Sequence, residues 1–308
     1  MSELHRHVED YLTLRRSLGF KLRLHGDVLP QFADYLEVAG AATITTEHAV
    51  SFAQLPKGVQ PIHWAQRLSM VRGFARYLST IDPTTEVPPH DVFGARYQRP
   101  TPYLWEEVEV LSLMEAAGQL QPALRAITYQ TLFGLLWTTG MRIGEAVALD
   151  RDDVDLDAGV VTVRKTKFGK SRQLPLHPSS TQALANYARV RDALCPTATG
   201  ESFFLSCHRS RPDKSTIQEG FRELRAATQI STAPGVSAAT LHDFRHTFAV
   251  NTLLDWHRDG SDVQAKMLWL ATYLGHAKPA SSFWYMTGAP ELLALAAARL
   301  ETTMEDMT

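Results

Sequence analysis

Cysteine is scarce in this chain, since its 308 residues include only Cys195 and Cys207. Two cysteines cannot build a disulfide framework, and their spacing is not that of a CxxC pair. Iron–sulfur clusters and cysteine-rich zinc sites are therefore excluded. Low cysteine usage is typical of a reducing compartment, and we expect a cytoplasmic protein.

Long apolar runs and a charge excess are missing as well. The most apolar segments, such as 132–137 and 291–298, fall well short of the ~18 residues that suggest a membrane span. The first residues alternate charged and apolar side chains, unlike a secretory signal. We therefore expect no membrane segment. With 31 basic and 33 acidic residues the net charge is −2, so any argument for nucleic-acid binding must rest on local basic patches.

Length and proline positions predict two domains, since a domain averages about 150 residues. Residues 1–80 have the apolar spacing of four or five short helices, including a clear amphipathic helix over 62–78. A group of prolines follows, and proline blocks helix continuation. We therefore assign 81–102 to an interdomain linker and 103–308 to a second domain. The prolines are Pro83, Pro88, Pro89, Pro100 and Pro102.

The second domain is predicted to be mainly helical with a small β-sheet. Segments 160–165 and 172–176 have a β pattern and are separated by a glycine-containing turn, which predicts a hairpin. A short apolar strand is expected at 203–205. The predicted fold class is mainly α with a small β-sheet (α+β). Among the later helices we expect 240–256, 263–274 and 289–301.

Residues suited to attack on a phosphodiester occur throughout the second domain. Such a phosphodiester builds negative charge on its non-bridging oxygens, and guanidinium groups bind that charge bidentately. A tyrosine hydroxyl can attack phosphorus when a base takes its proton, and a lysine can protonate the departing sugar oxygen. The scheme needs no metal and no other cofactor, and the sequence has no acidic cluster like those of two-metal nucleases. The six candidates are Arg142, Lys167, His242, Arg245, His276 and Tyr285.

The order and spacing of these residues resemble the tyrosine recombinases, also called phage integrases. Arg142 stands in a T-G-x-R-x-x-E box, and His242 and Arg245 form H-x-x-R. His276 ends an L-G-H box nine positions before Tyr285. The resemblance covers about 103–300, and the helical 1–80 region is similar to the family's SAM-like core DNA-binding domain. It implies a site-specific DNA recombinase whose C-terminal domain is catalytic.

The resemblance also implies a role for each candidate. Tyr285 would be the nucleophile that forms a 3′-phosphotyrosyl intermediate. Arg142 and Arg245 would bind the scissile phosphate. His242 would be the base near the tyrosine, and His276 would hold a phosphate oxygen.

The general acid and a supporting carboxylate are implied with alternatives left open. Lys167 matches the family's general acid for the 5′-oxygen, but Lys165 and Lys170 lie in the same turn. Glu145 follows Arg142 by one helical turn and is expected to orient the site. A surface acid on a helix is an equally open interpretation of Glu145.

Further basic residues predict contacts with the DNA backbone. The hairpin carries a basic strip with no acid within it. Arg72 and Arg76 have i,i+4 spacing on one helix face, which indicates either a phosphate contact or a solvated surface. The basic patch at 208–214 likewise indicates either a contact with the DNA backbone or a solvated loop. The expected DNA-binding residues are Arg72, Arg76, Arg164, Lys165, Lys170 and Arg172.

The expected partner is double-stranded DNA with inverted-repeat core sites. The apolar segment 291–300 follows the tyrosine, and in the family such a tail docks into a neighbouring protomer, which implies a synaptic tetramer on DNA. Packing of this tail on its own domain is the alternative. A second recombinase as partner stays open, and we expect a bacterial protein associated with the nucleoid.

Several other functions compete with integration, excision or transposition of a mobile element. Chromosome-dimer resolution uses the same site, a type IB topoisomerase has similar chemistry, and a catalytically silent partner would bind DNA without cutting it. A zinc hydrolase is the rival from another class, because His242 and His246 have the i,i+4 spacing of a two-histidine site. Asp243 would replace the usual glutamate, and His276 or His208 would be the third ligand. This rival leaves the arginines and the tyrosine unexplained.

Overall fold

A computed structural model describes residues 2–94, 102–164, 171–197, 200–230 and 238–275. The chain divides into two compact units, Met1–Arg99 and Pro100–Thr308. The described residues are mostly helical and include a small three-stranded sheet, which confirms the predicted fold class. None of their helices is both long and apolar enough to cross a membrane. The helix expected at 289–301 lies outside the described residues.

The first unit is built from helices that pack around aromatic side chains. The side chains of Ser2 and Thr45 accept hydrogen bonds from backbone N–H groups in the first turns of two helices. Pro61 begins another helix, at a position where a backbone N–H would have no acceptor within the helix, so the lack of this group in proline costs no hydrogen bond. Phe32 and Phe74 are fully buried. In the described part of the unit the helices are α1 (Glu3–Ser17), α2 (Arg23–Val38), α3 (Thr46–Ala53) and α4 (Pro61–Leu78).

Part of the predicted linker folds against this unit. The Glu86 backbone N–H donates to the Ile44 carbonyl at 2.8 Å. From α4, the Arg72 guanidinium donates to the backbone carbonyls of residues 88–90 at 2.8 to 3.3 Å. This differs from the linker expected over 81–102, because prolines that end a helix still offer carbonyl oxygens to a neighbouring donor.

Arg72 therefore differs from its expected place in a DNA contact. The residue is 7% exposed and its guanidinium is engaged by three backbone carbonyls. All three nitrogens of its guanidinium contact segment 82–90. Arg76, one turn further along α4, is exposed. The i,i+4 spacing does put both residues on one side of the helix, but segment 82–90 covers Arg72 and leaves Arg76 exposed.

The second unit combines helices with an antiparallel sheet of strand order β1-β2-β3. Val161 pairs with Leu174, and Val163 pairs with Arg172. The two predicted hairpin segments are therefore paired. The elements described here are α5 (Glu107–Gly118), α6 (Ala123–Thr139), α7 (Ile143–Ala146), a 3-10 turn (Arg151–Asp153), β1 (Val154–Asp155), β2 (Val160–Val163), β3 (Arg172–Pro175), α8 (Pro178–Leu194), α9 (Lys214–Ala227), α10 (Leu241–Arg258) and α11 (Val263–Leu274).

The apolar run 203–205 is not a strand. A single bridge joins Asp150 to Ser202 just before it. Its three side chains are at most 2% exposed and contribute to the core. The sequence prediction was wrong here because a short buried loop segment is as apolar as a buried strand.

Aromatic packing places the first half of α10 beside α6. Phe133 of α6 and Phe244 of α10 are fully buried, with ring centroids 6.4 Å apart. Trp105 packs on Phe244 at 4.9 Å. Since Arg245 follows Phe244 in the chain, this packing fixes the position of the helix segment that carries Arg245.

Candidate active site

A glycine-dependent turn carries the chain from α6 to Arg142. Gly140 ends α6 with φ of 60°, a conformation that favours glycine. A Cβ at this position would lie 2.7 Å from the Phe248 ring. Arg142 then forms the N-terminal cap of α7, and its backbone N–H donates to the Glu145 carboxylate at 3.1 Å. The glycine and the glutamate of the T-G-x-R-x-x-E box thus have local structural roles.

Arg245 joins the ends of two helices. The residue is 1% exposed. Its Nη1 donates to the Gly140 carbonyl at 2.9 Å, and its Nη2 donates to the Leu274 carbonyl at 2.6 Å. The second arginine of the predicted phosphate site is therefore held between the end of α6 and the end of α11.

Three arginines meet at the C-terminal end of α11. Arg172, Arg245 and Arg142 donate to backbone carbonyls of residues 273–275 at 2.7, 2.6 and 3.5 Å, respectively. The last carbonyls of a helix lack intrahelical partners and carry partial negative charge, which favours cations. Segments more than a hundred residues apart in sequence thus come together directly before His276.

Glu145 is a nearly buried carboxylate between two of these arginines. Its side chain is 12% exposed, and it accepts from Arg142 Nη1 at 2.9 Å and from Arg172 Nη2 at 2.7 Å. Burial raises the pKa of Glu145, but the hydrogen bonds and charges of Arg172 and Arg142 outweigh burial and hold that pKa below its ordinary value. Glu145 is therefore ionised at neutral pH, and this geometry favours the orienting role over the surface acid.

His242 lies in the first turn of α10 and is exposed. Its backbone N–H donates to Thr240 Oγ1 at 3.2 Å. The Asp243 carboxylate accepts from the backbone N–H and the hydroxyl of Thr240, both at 2.7 Å. This capping box fixes the helix start and leaves the His242 ring at the surface.

The zinc alternative finds little support among the described residues. The His242 and His246 rings lie 4.6 Å apart and nearly perpendicular. Within the part of the chain that the structure describes, the group of side chains close enough to hold one metal ion is His5, Asp34 and Glu37 on α1 and α2. His208 forms no such group with the α10 histidines, and His276 lies outside the described residues. Asp243 is engaged in helix capping.

Other predicted site residues also lie outside the described ranges. They include the nucleophile, one phosphate ligand and all three candidates for the general acid. Their roles therefore stay predictions. These residues are Lys165, Lys167, Lys170, His276 and Tyr285.

The basic residues near the hairpin divide into outward and inward ones. Arg164 is 56% exposed and pairs with Asp153. Arg172 was expected along the DNA backbone, but its side chain is 10% exposed and points to Glu145. The strand pattern contained a signal for this, because Arg172 and Leu174 are two residues apart and thus share the core face of β3. Sequence reasoning missed Arg172 as part of the site.

The second basic patch, 208–214, has structural roles at two positions. Arg211 donates to the Val147 carbonyl at 2.8 Å and pairs with Asp150. The Asp213 side chain caps α9 by accepting from the Ser215 N–H at 2.8 Å. The Arg211 contacts hold the loop to the unit, and the Asp213 contact is local to the start of α9.

Comparisons with known proteins match this chain to integrases and recombinases. The phage integrase family profile matches residues 105–291. The integrase/recombinase y4rB of Sinorhizobium fredii is 41% identical over 100% of both chains. The tyrosine recombinase XerD of Mycobacterium tuberculosis is 30% identical over 87% of each chain. Among solved structures, a lambda integrase tetramer bound to a Holliday junction has a TM-score of 0.63 at 17% identity, covering 92% of this chain and 76% of that one.

Proposed function

The chain belongs to the phage integrase family, the tyrosine recombinases, and on that premise we propose that it cuts and rejoins DNA through a 3′-phosphotyrosyl intermediate on Tyr285. Membership makes it a DNA strand-transferase of site-specific recombination. The observation that carries the proposed mechanism is the meeting of Arg142 and Arg245 at the end of α11, directly before His276. Two guanidiniums at one place suit the non-bridging oxygens of a phosphodiester.

The proposed reaction exchanges one phosphoester bond for another. Tyr285 Oη attacks the scissile phosphorus while the bond from phosphorus to the 5′-oxygen breaks. His242 takes the tyrosine proton, and Lys167 donates a proton to the departing 5′-oxygen. The phosphate stays esterified to Tyr285, so a 5′-hydroxyl of another strand can reverse the step and rejoin the DNA.

Fixed cations stabilise the charge that develops in this transition state. Arg142 has a 38% exposed side chain and can reach a bound phosphate while Glu145 holds its other side. The second guanidinium, that of Arg245, is held in place by its hydrogen bonds to the Gly140 and Leu274 carbonyls. Preorganised donors of this kind stabilise charge in place of a metal ion, and His276 would add a third donor.

Within the family, the proposed biological role is integration, excision or transposition of a mobile element. The full-length similarity to y4rB, whose name gives integrase and recombinase, supports it. Chromosome-dimer resolution, which would use the same site, stays the alternative within the family.

For assembly, we propose a tetramer on double-stranded DNA with inverted core sites. The lambda integrase tetramer on a Holliday junction, which has a similar fold, supports this arrangement. The first unit would bind the core site, and a DNA target supports the expected localisation in the cytoplasm at the nucleoid.

Covalent trapping tests the proposed mechanism. Purified protein is mixed, with and without EDTA, with nicked DNA fragments from either side of its own gene, and SDS-resistant adducts are scored. We expect an adduct in EDTA that Tyr285→Phe abolishes. Tyr35→Phe, which removes a hydroxyl from a partly buried tyrosine of α2, is the matched control and should keep the adduct. An adduct that survives Tyr285→Phe contradicts the mechanism, and an adduct that is lost in EDTA contradicts its metal-free form.

A further inference from the structure

We propose that Arg172 is a positioning residue for strand cleavage, which holds Glu145 and the end of α11 so that the Arg142 guanidinium stays available to the scissile phosphate. This inference rests on the proposed function and extends it to a residue of β3. Arg172 itself would not touch DNA. It would act through the groups that do.

All three nitrogens of the Arg172 guanidinium are engaged inside the unit. Nη2 and Nη1 donate to the two oxygens of Glu145 at 2.7 and 3.2 Å. Nε donates to the Tyr273 carbonyl at 2.7 Å. The two side chains are 10% and 12% exposed, and a bidentate pair of this kind fixes orientation as well as distance. Arg172 thus connects β3, α7 and α11.

The shared carboxylate gives this arrangement a consequence for charge. Glu145 Oε1 accepts from Arg142 and Arg172 at 2.9 and 3.2 Å, so the two arginines share one acceptor. Two cations and one anion leave one positive charge for a bound phosphate. Without Arg172, the partly buried carboxylate would be left to Arg142, and the closer ion pair would carry no net charge.

The glycine of the L-G-H box fits the same arrangement. Gly275 has φ of +67°, and a Cβ there would lie 2.7 Å from Arg172 Nη1. The backbone conformation therefore favours glycine, and a Cβ here would have to displace the Arg172 guanidinium. The position of Arg172 is thus tied to the residue that precedes His276.

Arg172→Gln separates positioning from general support of the fold. Single-turnover adduct formation is measured at saturating nicked DNA, together with DNA affinity and Tm. The matched control is Arg191→Gln, since Arg191 is 2% exposed in the same unit and donates to the Phe203 carbonyl at 2.6 Å. Both variants should lower Tm. Only Arg172→Gln should slow cleavage, by roughly 100-fold, the scale of a 1 Å misplacement, with DNA affinity nearly unchanged.

A double variant supplies a readout that a purely structural role would not move. Glu145→Gln combined with Arg172→Gln removes the carboxylate that would draw Arg142 away. We expect the double variant to cleave faster than Arg172→Gln alone. A double variant that is equally slow or slower overturns the inference.

A glycine pair keeps the test decisive if Arg172→Gln does not fold. Gly275→Ala displaces the Arg172 guanidinium, whereas Gly40→Ala has a similar positive φ with nothing within 4 Å of the new Cβ. Only Gly275→Ala should slow cleavage. If wild-type protein forms no adduct, the proposed function fails and the inference fails with it. If wild-type protein and the Arg172 and Gly275 variants cleave at equal rates, the inference alone is wrong.

Discussion

Arg245→Lys keeps the positive charge of the second phosphate-binding arginine and removes its planar fork. Arg245 spans two carbonyls, Gly140 O and Leu274 O, at 2.9 and 2.6 Å. A lysine ammonium in the same place can reach one of them. A hydrogen bond to a charged group contributes about 1.5–3 kcal/mol, so losing one should cost that much unfolding free energy. At about 2–4 °C per kcal/mol for a unit of this size, Tm should fall by roughly 3–12 °C.

The same substitution should slow cleavage far more than it destabilises the fold. Loss of one preorganised donor to a developing oxyanion lowers rates by about 10²–10³-fold. The assay is single-turnover adduct formation on the fragment that traps wild-type protein, at a temperature well below the variant's Tm. Arg191→Lys, at a buried arginine that donates to the Phe203 carbonyl, should lose stability and keep its rate. An Arg245→Lys rate within a few-fold of wild type would refute the placement of Arg245 at the phosphate.

Three further predictions concern Glu145, the pair Arg72 and Arg76, and Lys167. Glu145 has a folded-state pKa below its ordinary value of about 4.3. Its stabilising effect should therefore be full above that value and lost as pH falls through the folded pKa. Urea unfolding of Glu145→Gln and wild type should differ at pH 7, and the difference should shrink as the pH falls through the folded pKa. Arg76→Ala should reduce the salt slope of DNA binding by about 1, whereas Arg72→Gln should destabilise the first unit; equal salt slopes for Arg76→Ala and wild type would remove that phosphate contact. Lys167→Ala should be rescued by a 5′-thio leaving group, which needs no proton, and without rescue the acid would be Lys165 or Lys170.

Local spacing predicted the parts of the site that local bonds create. The T-G-x-R-x-x-E box corresponds to a glycine helix end followed by a bond from the Arg142 N–H to Glu145, three residues on. In H-x-x-R, the capping box leaves His242 exposed while Arg245 is buried. The hairpin and the mainly helical fold follow from period-2 and period-3.6 patterns in the same way.

For some residues, sequence spacing predicted the wrong surroundings, because contacts with distant parts of the chain determine where the side chain lies. Arg72 belongs to a basic i,i+4 pair, yet segment 82–90 returns to bind its guanidinium. Arg172 belongs to a basic strip, yet its partners Glu145 and Tyr273 are 27 and 101 positions away in sequence. A charge run shows where cations are in the chain, but it does not show which face of a strand or helix the fold later covers.

The most direct test of the central claim is to identify the side chain that carries the DNA. The adduct trapped in EDTA is trimmed with nuclease, digested with trypsin and analysed by mass spectrometry. The proposed mechanism predicts a nucleotide attached through its 3′-phosphate to Tyr285. A nucleotide on any other residue, or one joined through a 5′-phosphate, would contradict it.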